Sequence, residues 1–419
     1  MIFINKTLVL ATICLLTGCG GDGSQVVVSH SAVQETTPVK CNIAPPSKVR
    51  LETDQNLPII SKEDYLSAQI TVDDSGGFGP YAASAEIRGR GNSTWNMPKK
   101  SYRLRLKDKA SLLGMPSHRS WALLANYSDK TMLRNAVAFC MGNMLGMSYV
   151  PRNQYVELTL NGVYTGVYQL TEHITTGKNR VNVGEEDGTA ASGYLIEIDA
   201  RLDGSAAFRS AIGTPIVVKS DTTPDLTNAI AKDVDAFEAA LFGPDFLDAE
   251  KGYAKHVDMN ALASFYVINE FMKNNDAFFS STYVYKERGG KLVFGPLWDF
   301  DIAAGNINYS IGNHLPEGPW LSTSIPYIAR LTADPVFRSK VSEKWSILSE
   351  RMPDLMTFID DSALTLDAAQ QRNFRVWDIL NTFVWPNPVV MGSYSGEVKY
   401  LEGWLTKRAA WMDSSMKAN

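Results

Sequence analysis

Alternation of polar and apolar residues predicts that the first half of the chain is rich in strands. Residues 102–106 read Tyr-Arg-Leu-Arg-Leu, which is the two-residue period of a half-buried strand. Two β-rich runs, residues 155–160 and 163–170, flank Asn161-Gly162. Because both turn residues tolerate a positive φ, this stretch predicts a β-hairpin. Residues 193–199 are predicted as a further strand.

Helical periodicity replaces this alternation in the second half of the chain. Apolar residues recur there at three- and four-residue spacing, which is typical of amphipathic helices. The predicted helices are residues 226–241, 259–273, 324–370 and 395–415. A second hairpin is predicted between them, with strands at 282–286 and 291–298 joined at Gly289-Gly290. Strands followed by helices, with one embedded hairpin, predict an α+β fold.

Composition and charge narrow the class of protein. Of the 419 residues, 45% are hydrophobic and 20% are charged, which excludes a wholly disordered chain. Lys and Arg total 40 against 45 Asp and Glu, a net charge of -5, so no nucleic-acid partner is expected. Beyond the N-terminus no apolar run approaches the ~20 residues of a membrane-spanning helix, which excludes a polytopic membrane protein.

The N-terminus predicts export. An apolar run at residues 8–16 is too short to span a bilayer and ends at Leu16-Thr17-Gly18-Cys19. This segment resembles the lipobox of bacterial lipoproteins, which implies cleavage before Cys19 and lipidation of that residue. The alternative is an ordinary signal peptide that precedes a cysteine by chance. Gly20 follows the cysteine where an aspartate would favour the inner membrane, so the outer membrane is favoured.

These features divide the chain and place it outside the cytoplasm. We predict a signal peptide at residues 1–18, a flexible tether at 19–48 and a folded domain at 49–419. If Cys19 is lipidated, Cys41 and Cys140 are the remaining pair of cysteines in the mature chain. In an oxidising compartment they either form a disulfide or stay as two buried thiols, and the sequence leaves both open.

Several common catalytic motifs are missing, and carboxylates are the better candidates. The sequence has no P-loop, no HExxH and no GxSxG. Asp299 and Asp301 end the second predicted hairpin and, two residues apart, share one face of a strand end. Oxygen ligands in this arrangement suit a hard divalent cation. Asp276 precedes the same hairpin, 23 positions before Asp299, and because the chain between them runs out and back, it is expected beside Asp299.

Basic residues crowd the predicted N-terminal strands. They are Arg88, Arg90, Lys99, Lys100, Arg103 and Arg105. A basic patch next to an acidic, metal-competent centre is what phosphoryl transfer requires, because cations hold the phosphates and carboxylates hold Mg²⁺. Arg88 and Arg90 are therefore predicted to bind nucleotide.

Several blocks, in order along residues 50–415, resemble the CotH kinase family. They are residues 88–95 with 98–102, residues 126–129 with 133–135, residues 156–172, Asn275-Asp276, and residues 295–301 (Gly-Pro-Leu-Trp-Asp-Phe-Asp). The resemblance implies an atypical protein-kinase-like fold, with a strand-rich N-lobe at about 49–220 and a helical C-lobe at about 221–419. It also implies ATP as co-substrate and Mg²⁺ or Mn²⁺ as metal.

The resemblance also implies roles for single residues. Asp276 matches the catalytic aspartate, and Asp299 matches the metal-binding aspartate, with Asp301 beside it. Lys100 is the expected phosphate-contacting lysine. Glu172 is its expected ion-pair partner. Ser281 stands where a metal-binding Asn is expected, and a hydroxyl is a weaker Mg²⁺ ligand than an amide carbonyl.

Three functions are compatible with these features. The first is a lipid-anchored kinase that phosphorylates Ser or Thr of exported or envelope proteins. The second is a CotH-fold lipoprotein with little or no turnover that acts as an adhesin or scaffold, which Ser281 and the scarcity of ATP outside the cytoplasm favour. The third is a glycoside hydrolase that uses Asp276 with Asp299 or Asp301.

Overall fold

A closed seven-stranded barrel occupies the first part of the structure, a computed structural model that describes residues 41–204, 206–310 and 312–417. Its strands are β1 (Ser47–Thr53), β2 (Leu66–Val72), β3 (Tyr81–Arg90), β4 (Ser101–Leu112), β5 (Met115–Leu124), β6 (Asn153–Leu160) and β7 (Val163–Glu172). Around the barrel the order is β1-β2-β3-β4-β5-β7-β6. All neighbours are antiparallel except β1 and β6, which close the barrel as a parallel pair.

Alternating side chains fill the barrel with its own hydrophobic core. In β1 every second residue is buried, and Val49 and Leu51 join the core inside the barrel. The predicted hairpin is confirmed: β6 and β7 meet at Asn161-Gly162, whose φ angles of 49° and 77° lie in the left-handed region. The first helix, α1 (Arg134–Met144), lies between β5 and β6 in the chain and is buried along almost its whole length.

A second sheet combines strands from both halves of the chain. It consists of β8 (Tyr194–Ile198), β9 (Ala207–Arg209), β10 (Pro215–Val218), β11 (Thr282–Lys286) and β12 (Leu292–Phe294), in the order β12-β11-β8-β10-β9. The predicted lobe boundary near residue 220 is therefore misplaced, because it would separate β8 from its antiparallel partner β11. Strand β12 also ends four residues before the predicted end at 298.

Helices make up most of the remaining chain. They are α2 (Pro224–Phe242), α3 (Met259–Phe271), α4 (Leu321–Ser324), α5 (Pro326–Leu331), α6 (Pro335–Glu350), α7 (Met352–Val376) and α8 (Tyr394–Lys417). Side chains of Thr223 and Asp258 accept hydrogen bonds at the N-termini of α2 and α3, which fixes where these helices begin. The α+β class is confirmed. No helix in the described part of the chain is long and apolar enough to cross a membrane.

The folded chain begins before residue 49. Cys41 is joined to Cys140 of α1 by a disulfide, so of the two alternatives for this pair the structure has the bridge. The backbone N–H of Ala44 donates to the side-chain oxygen of Gln154 at 3.1 Å, and β1 begins at Ser47. The last part of the predicted tether is thus fixed to the domain. The predicted signal peptide and Cys19 lie outside the described residues.

A buried lysine joins the barrel to α7. Lys99 is 2% exposed, and its ammonium donates to the carbonyl oxygen of Val167 and, at 2.9 Å, to Oδ1 of Asn373. Neither partner is charged, and burial lowers the pKa of Lys99 to about 7. The folded protein therefore favours the neutral amine.

This burial makes the stability of the fold depend on pH. Between pH 7 and the unfolded pKa near 10.5, the unfolded chain carries one more proton at Lys99 than the folded chain, so stability rises with pH in that window. Relative to a Lys99→Met variant, the unfolding free energy of the wild type should rise by about 1.4 kcal/mol per pH unit above pH 7. Urea denaturation of both proteins from pH 6 to 9.5 measures this. A difference that is independent of pH would contradict it.

Candidate active site

One cavity of about 1150 Å³ collects most of the predicted site residues. This volume is slightly above the roughly 300–1,000 Å³ that is usual for small-molecule sites. The predicted residues on its lining are Arg88, Arg90, Asp276, Ser281, Asp299 and Asp301. They come from β3, from the turn between α3 and β11, and from the loop after β12. Residues far apart in the sequence thus meet in one place.

Three carboxylates, Asp276, Asp299 and Asp301, form the acidic cluster of this cavity. Burial, and after it the negative charge of Asp299, raises the pKa of Asp276 to about 7. The same two causes raise the pKa of Asp301 well above its usual value, and the Asp301 carboxyl hydrogen-bonds to Asp299. Closely spaced carboxylates repel one another as anions, so a cation or a proton stabilises the cluster.

The backbone is strained at Asp299 and at the nearby Ser281. Asp299 has a φ of +67° and Ser281 a φ of +54°, both in the left-handed region that residues other than glycine rarely adopt. The prediction that Asp299 belongs to an extended strand end is therefore wrong. The hairpin still brings its two ends together, since Oγ of Ser281 donates to Oδ2 of Asp299 at 3.0 Å.

Five side chains, Arg88, Arg90, Arg103, His173 and Lys219, form the basic cluster of the cavity. Arg88 and Arg103 are directly paired across β3 and β4, an arrangement that destabilises a sheet when the charges are alike. The Nε atoms of both are buried without a hydrogen-bond partner among the described residues. Within the residues that the structure describes, no carboxylate forms an ion pair with Arg88, Arg90 or Arg103.

The members of the basic cluster also perturb one another. Burial, and then the charges of Arg90 and Arg88, lowers the pKa of Arg103 to about 10. Burial and the charges of Arg103 and Arg90 hold the pKa of His173 well below its usual value, and its Nδ1 has no hydrogen-bond partner among the described residues. Arg88, Arg90 and Arg103 are half-buried cations, and positive charge concentrated in this way favours an anionic ligand. Arg90 also lies 5.4 Å from the ring centroid of Trp298, the residue before Asp299.

Two predicted nucleotide-binding residues lie elsewhere. Lys100 does not line the cavity, and its ammonium donates to the carbonyl oxygen of Trp95 at 2.5 Å. Glu172 is fully buried and pairs with Arg180 and Arg152 at 2.5 and 2.9 Å. The expected ion pair between Lys100 and Glu172 is therefore wrong. Each residue is the neighbour of a cavity-lining one, Ser101 at the start of β4 and His173 just after the end of β7.

A different lysine and glutamate are paired in the cavity. Nζ of Lys219 lies 2.8 Å from Oε2 of Glu197, and both residues line the cavity. Oε1 of Glu197 accepts the backbone N–H of Ser281 at 3.1 Å, which connects this pair to Asp299 through the Ser281 hydroxyl. No local pattern in the sequence signals this pair, because it depends on β8 and β10 being neighbours in the second sheet.

The acidic cluster can supply part of the coordination sphere of a divalent cation, with water and substrate phosphates supplying the rest. Among the described residues no group of three or more His, Cys, Asp or Glu side chains is arranged to hold a metal ion by itself. Mg²⁺ at phosphoryl-transfer sites usually takes one or two carboxylates and completes its octahedron with water and substrate phosphates. Asp299 and Asp301, with Ser281 beside them, provide such an incomplete set.

An α+β domain whose deep cavity combines acidic and basic clusters has the features of a phosphate-handling protein. Residues 87–412 match the family model described as CotH kinase protein. Because this match covers most of the chain, the protein belongs to the CotH kinase family. A comparison with curated proteins gives no significant match.

Proposed function

We propose that this protein is a CotH-type kinase that transfers the γ-phosphate of ATP to Ser or Thr of exported or envelope proteins. The observation that carries the proposal is that three arginines without an ion-pair partner among the described residues share one cavity with the acidic cluster. The basic cluster is suited to phosphate oxygens, and the acidic cluster is suited to a metal and to an acceptor proton. Family membership supports the same reaction.

In this proposal Asp276 acts on the acceptor hydroxyl. Its carboxylate takes the hydroxyl proton while the acceptor oxygen forms a bond to the γ-phosphorus, and the bond from that phosphorus to the bridging oxygen breaks, releasing ADP. A pKa raised towards 7 makes Asp276 a better proton acceptor than an ordinary aspartate. Arg88, Arg90, Arg103 and Lys219 orient the phosphates and balance their charge.

Asp299 and Asp301 would hold the metal, with the Ser281 hydroxyl keeping Asp299 in place. A divalent cation, Mg²⁺ or Mn²⁺, supplies charge stabilisation on the transferring phosphoryl group when it is bound. Ser281 offers a hydroxyl, whose proton is donated to Asp299, so a second metal would have a weaker ligand than the amide that the family usually provides. We therefore expect slow transfer.

Lys219, rather than Lys100, should contact the phosphates. A charge-assisted hydrogen bond contributes about 1.5–3 kcal/mol, so Lys219→Met should weaken binding of Mg²⁺-ATP roughly 10- to 100-fold. Lys100→Met is the matched control, since it makes the same change outside the cavity and should leave binding unchanged. Isothermal titration calorimetry on the two variants decides between the lysines, and the reverse pattern would restore the original expectation.

We propose further that the protein is exported and held at a bacterial membrane, with the outer membrane favoured, by lipid on Cys19. The sequence from Leu16 to Cys19 supports this, and an oxidising compartment is consistent with the Cys41–Cys140 disulfide. Stable anchoring needs more than one acyl chain, which a lipidated N-terminal cysteine provides. A Cys19→Ser variant should accumulate unprocessed or in the soluble fraction. A mature, membrane-bound Cys19→Ser protein would contradict the anchor.

A second candidate is a non-catalytic envelope lipoprotein that uses the same fold as an adhesin or scaffold. Ser281 favours this candidate, because a serine hydroxyl is a weak metal ligand and this one donates a hydrogen bond to Asp299. Incubation with radiolabelled ATP, Mg²⁺ or Mn²⁺ and a Ser/Thr-rich acceptor separates the two. Nucleotide binding without any transfer would favour the scaffold, and no nucleotide binding would refute the kinase.

A further inference from the structure

The loop that carries Asp299 and Asp301 is hydrogen-bonded to the first turn of α1. Oδ1 of Asn135 accepts the backbone N–H of Phe300, the residue between the two aspartates, at 2.8 Å. Nε of Arg134 donates to the carbonyl oxygen of Ala303 at 3.0 Å. Both side chains are almost completely buried, at 3% and 1% exposure. Two consecutive residues of one helix thus contact the loop on both sides of Asp301.

These contacts lie where the loop backbone is least relaxed. Asp299 and Ala304 have φ angles of +67° and +45°, which L-residues rarely adopt. Such conformations persist only where the surroundings over-determine them. The Asn135 hydrogen bond fixes the peptide plane between Asp299 and Phe300, so it also fixes the direction in which the Asp299 carboxylate leaves the backbone.

The first turn of α1 is itself rigidly held. Nη1 of Arg134 pairs with Oδ1 of Asp129 at 2.6 Å, and its backbone N–H donates to Oδ2 of the same carboxylate at 3.0 Å. Asp129 is fully buried, so this pair is protected from water. Further along the helix, Cys140 is joined to Cys41. The acceptor oxygen of Asn135 therefore has a fixed position from which to orient the loop.

We propose that Asn135 is a positioning residue for the cation site, and that Arg134 holds the same loop at Ala303. The inference rests on the proposed function, because it takes Asp299 to be a metal ligand. Residues that orient metal ligands typically change metal affinity 10- to 100-fold when they are replaced. Without the Phe300 hydrogen bond, the Asp299 backbone can relax towards the extended region, and the two carboxylates no longer converge.

Titration of the full-length chain with Mn²⁺, followed by electron paramagnetic resonance of the free ion, tests this. Asn135→Ala should bind Mn²⁺ 10- to 100-fold more weakly than the wild type. Asn135→Asp keeps an acceptor oxygen at the same place and should recover most of that loss. Asn143→Ala is the matched control, since Asn143 is an exposed residue of the same helix, and it should bind as the wild type does.

A second ligand distinguishes positioning from a general loss of structure. Tripolyphosphate without metal should bind the basic cluster of Asn135→Ala with wild-type affinity, and hydrogen exchange should be faster at Phe300 only. If Asn135→Ala does not fold, Asn135→Ser, whose side chain is too short to reach the Phe300 amide, replaces it with the same expectation. Unchanged Mn²⁺ affinity, or equal losses for Mn²⁺ and tripolyphosphate, would overturn the positioning role of Asn135 and leave the proposed function standing. A wild type that binds no divalent cation would overturn the proposed function as well.

Discussion

Replacing Asp299 with asparagine should abolish the Mg²⁺-dependent part of nucleotide binding while the fold is retained. Asparagine has nearly the same shape as aspartate and tolerates a positive φ better than most residues, so the backbone at +67° is not disturbed. Its side-chain oxygen can still accept the Ser281 hydroxyl. The change therefore removes a charge and little else, and losing a metal ligand removes several kcal/mol of charge stabilisation.

The measurement is calorimetric titration with ATP in the presence of Mg²⁺ and in the presence of EDTA. We expect a loss of 100-fold or more with Mg²⁺ and little change in EDTA, where the basic cluster alone holds the phosphates. Asp233→Asn is a suitable control, because Asp233 pairs with Lys286 of the same hairpin at 2.7 Å and does not line the cavity. Unchanged Mg²⁺-ATP affinity in Asp299→Asn would remove Asp299 from the site.

Local patterns predicted the elements that a short stretch of chain determines. The hairpin at Asn161-Gly162 and the helices α2 and α3 were correct, because turn residues and amphipathic spacing are read within one segment. Helix α1 was missed for a physical reason. Nearly all of its residues are buried, so it has no polar face and shows no amphipathic period.

The pairing of strands that are distant in the chain could not be predicted from the sequence. The barrel closes through parallel pairing of β1 with β6, more than a hundred residues apart in the chain, and nothing within either strand indicates its partner. The second sheet likewise joins β8 to β11, an antiparallel pair separated in the chain by α2 and α3. Because the lobe boundary was placed where the composition changes from strands to helices, it fell inside this sheet.

The candidate site was predictable on its acidic side and less so on its basic side. One hairpin carries Asp276 and Asp299 at its two ends, so their proximity follows from antiparallel pairing. Arg103 lies on β4, whereas His173 and Lys219 directly follow β7 and β10, and only the folded chain brings the three together. Lys100 was a plausible choice by motif, but it directly precedes β4 and its ammonium donates to the carbonyl oxygen of Trp95.

The largest effect on turnover is expected at Asp276. If its carboxylate accepts the acceptor's proton, Asp276→Asn should lower the rate of phosphoryl transfer by a factor of 10²–10⁴, because the amide cannot take a proton. Transfer is measured with radiolabelled ATP, Mg²⁺ and a Ser/Thr-rich acceptor, with autophosphorylation as a second readout. Nucleotide binding should remain at the wild-type level, since Asp276 is not expected to contact the phosphates.

Metal affinity distinguishes this role from that of a third metal ligand. Burial, and after it the charge of Asp299, raises the pKa of Asp276, and the two carboxylates repel each other when both are ionised. If Asp276 is a base, removing its charge costs at most a modest part of the electrostatic attraction for Mn²⁺, and it relieves repulsion in the metal-free fold. If it is a ligand, Asp276→Asn should lose Mn²⁺ as severely as Asp299→Asn does. Loss of transfer with Mn²⁺ affinity within a few-fold of the wild type would therefore identify Asp276 as the base, and parallel loss of both would assign it to the metal instead.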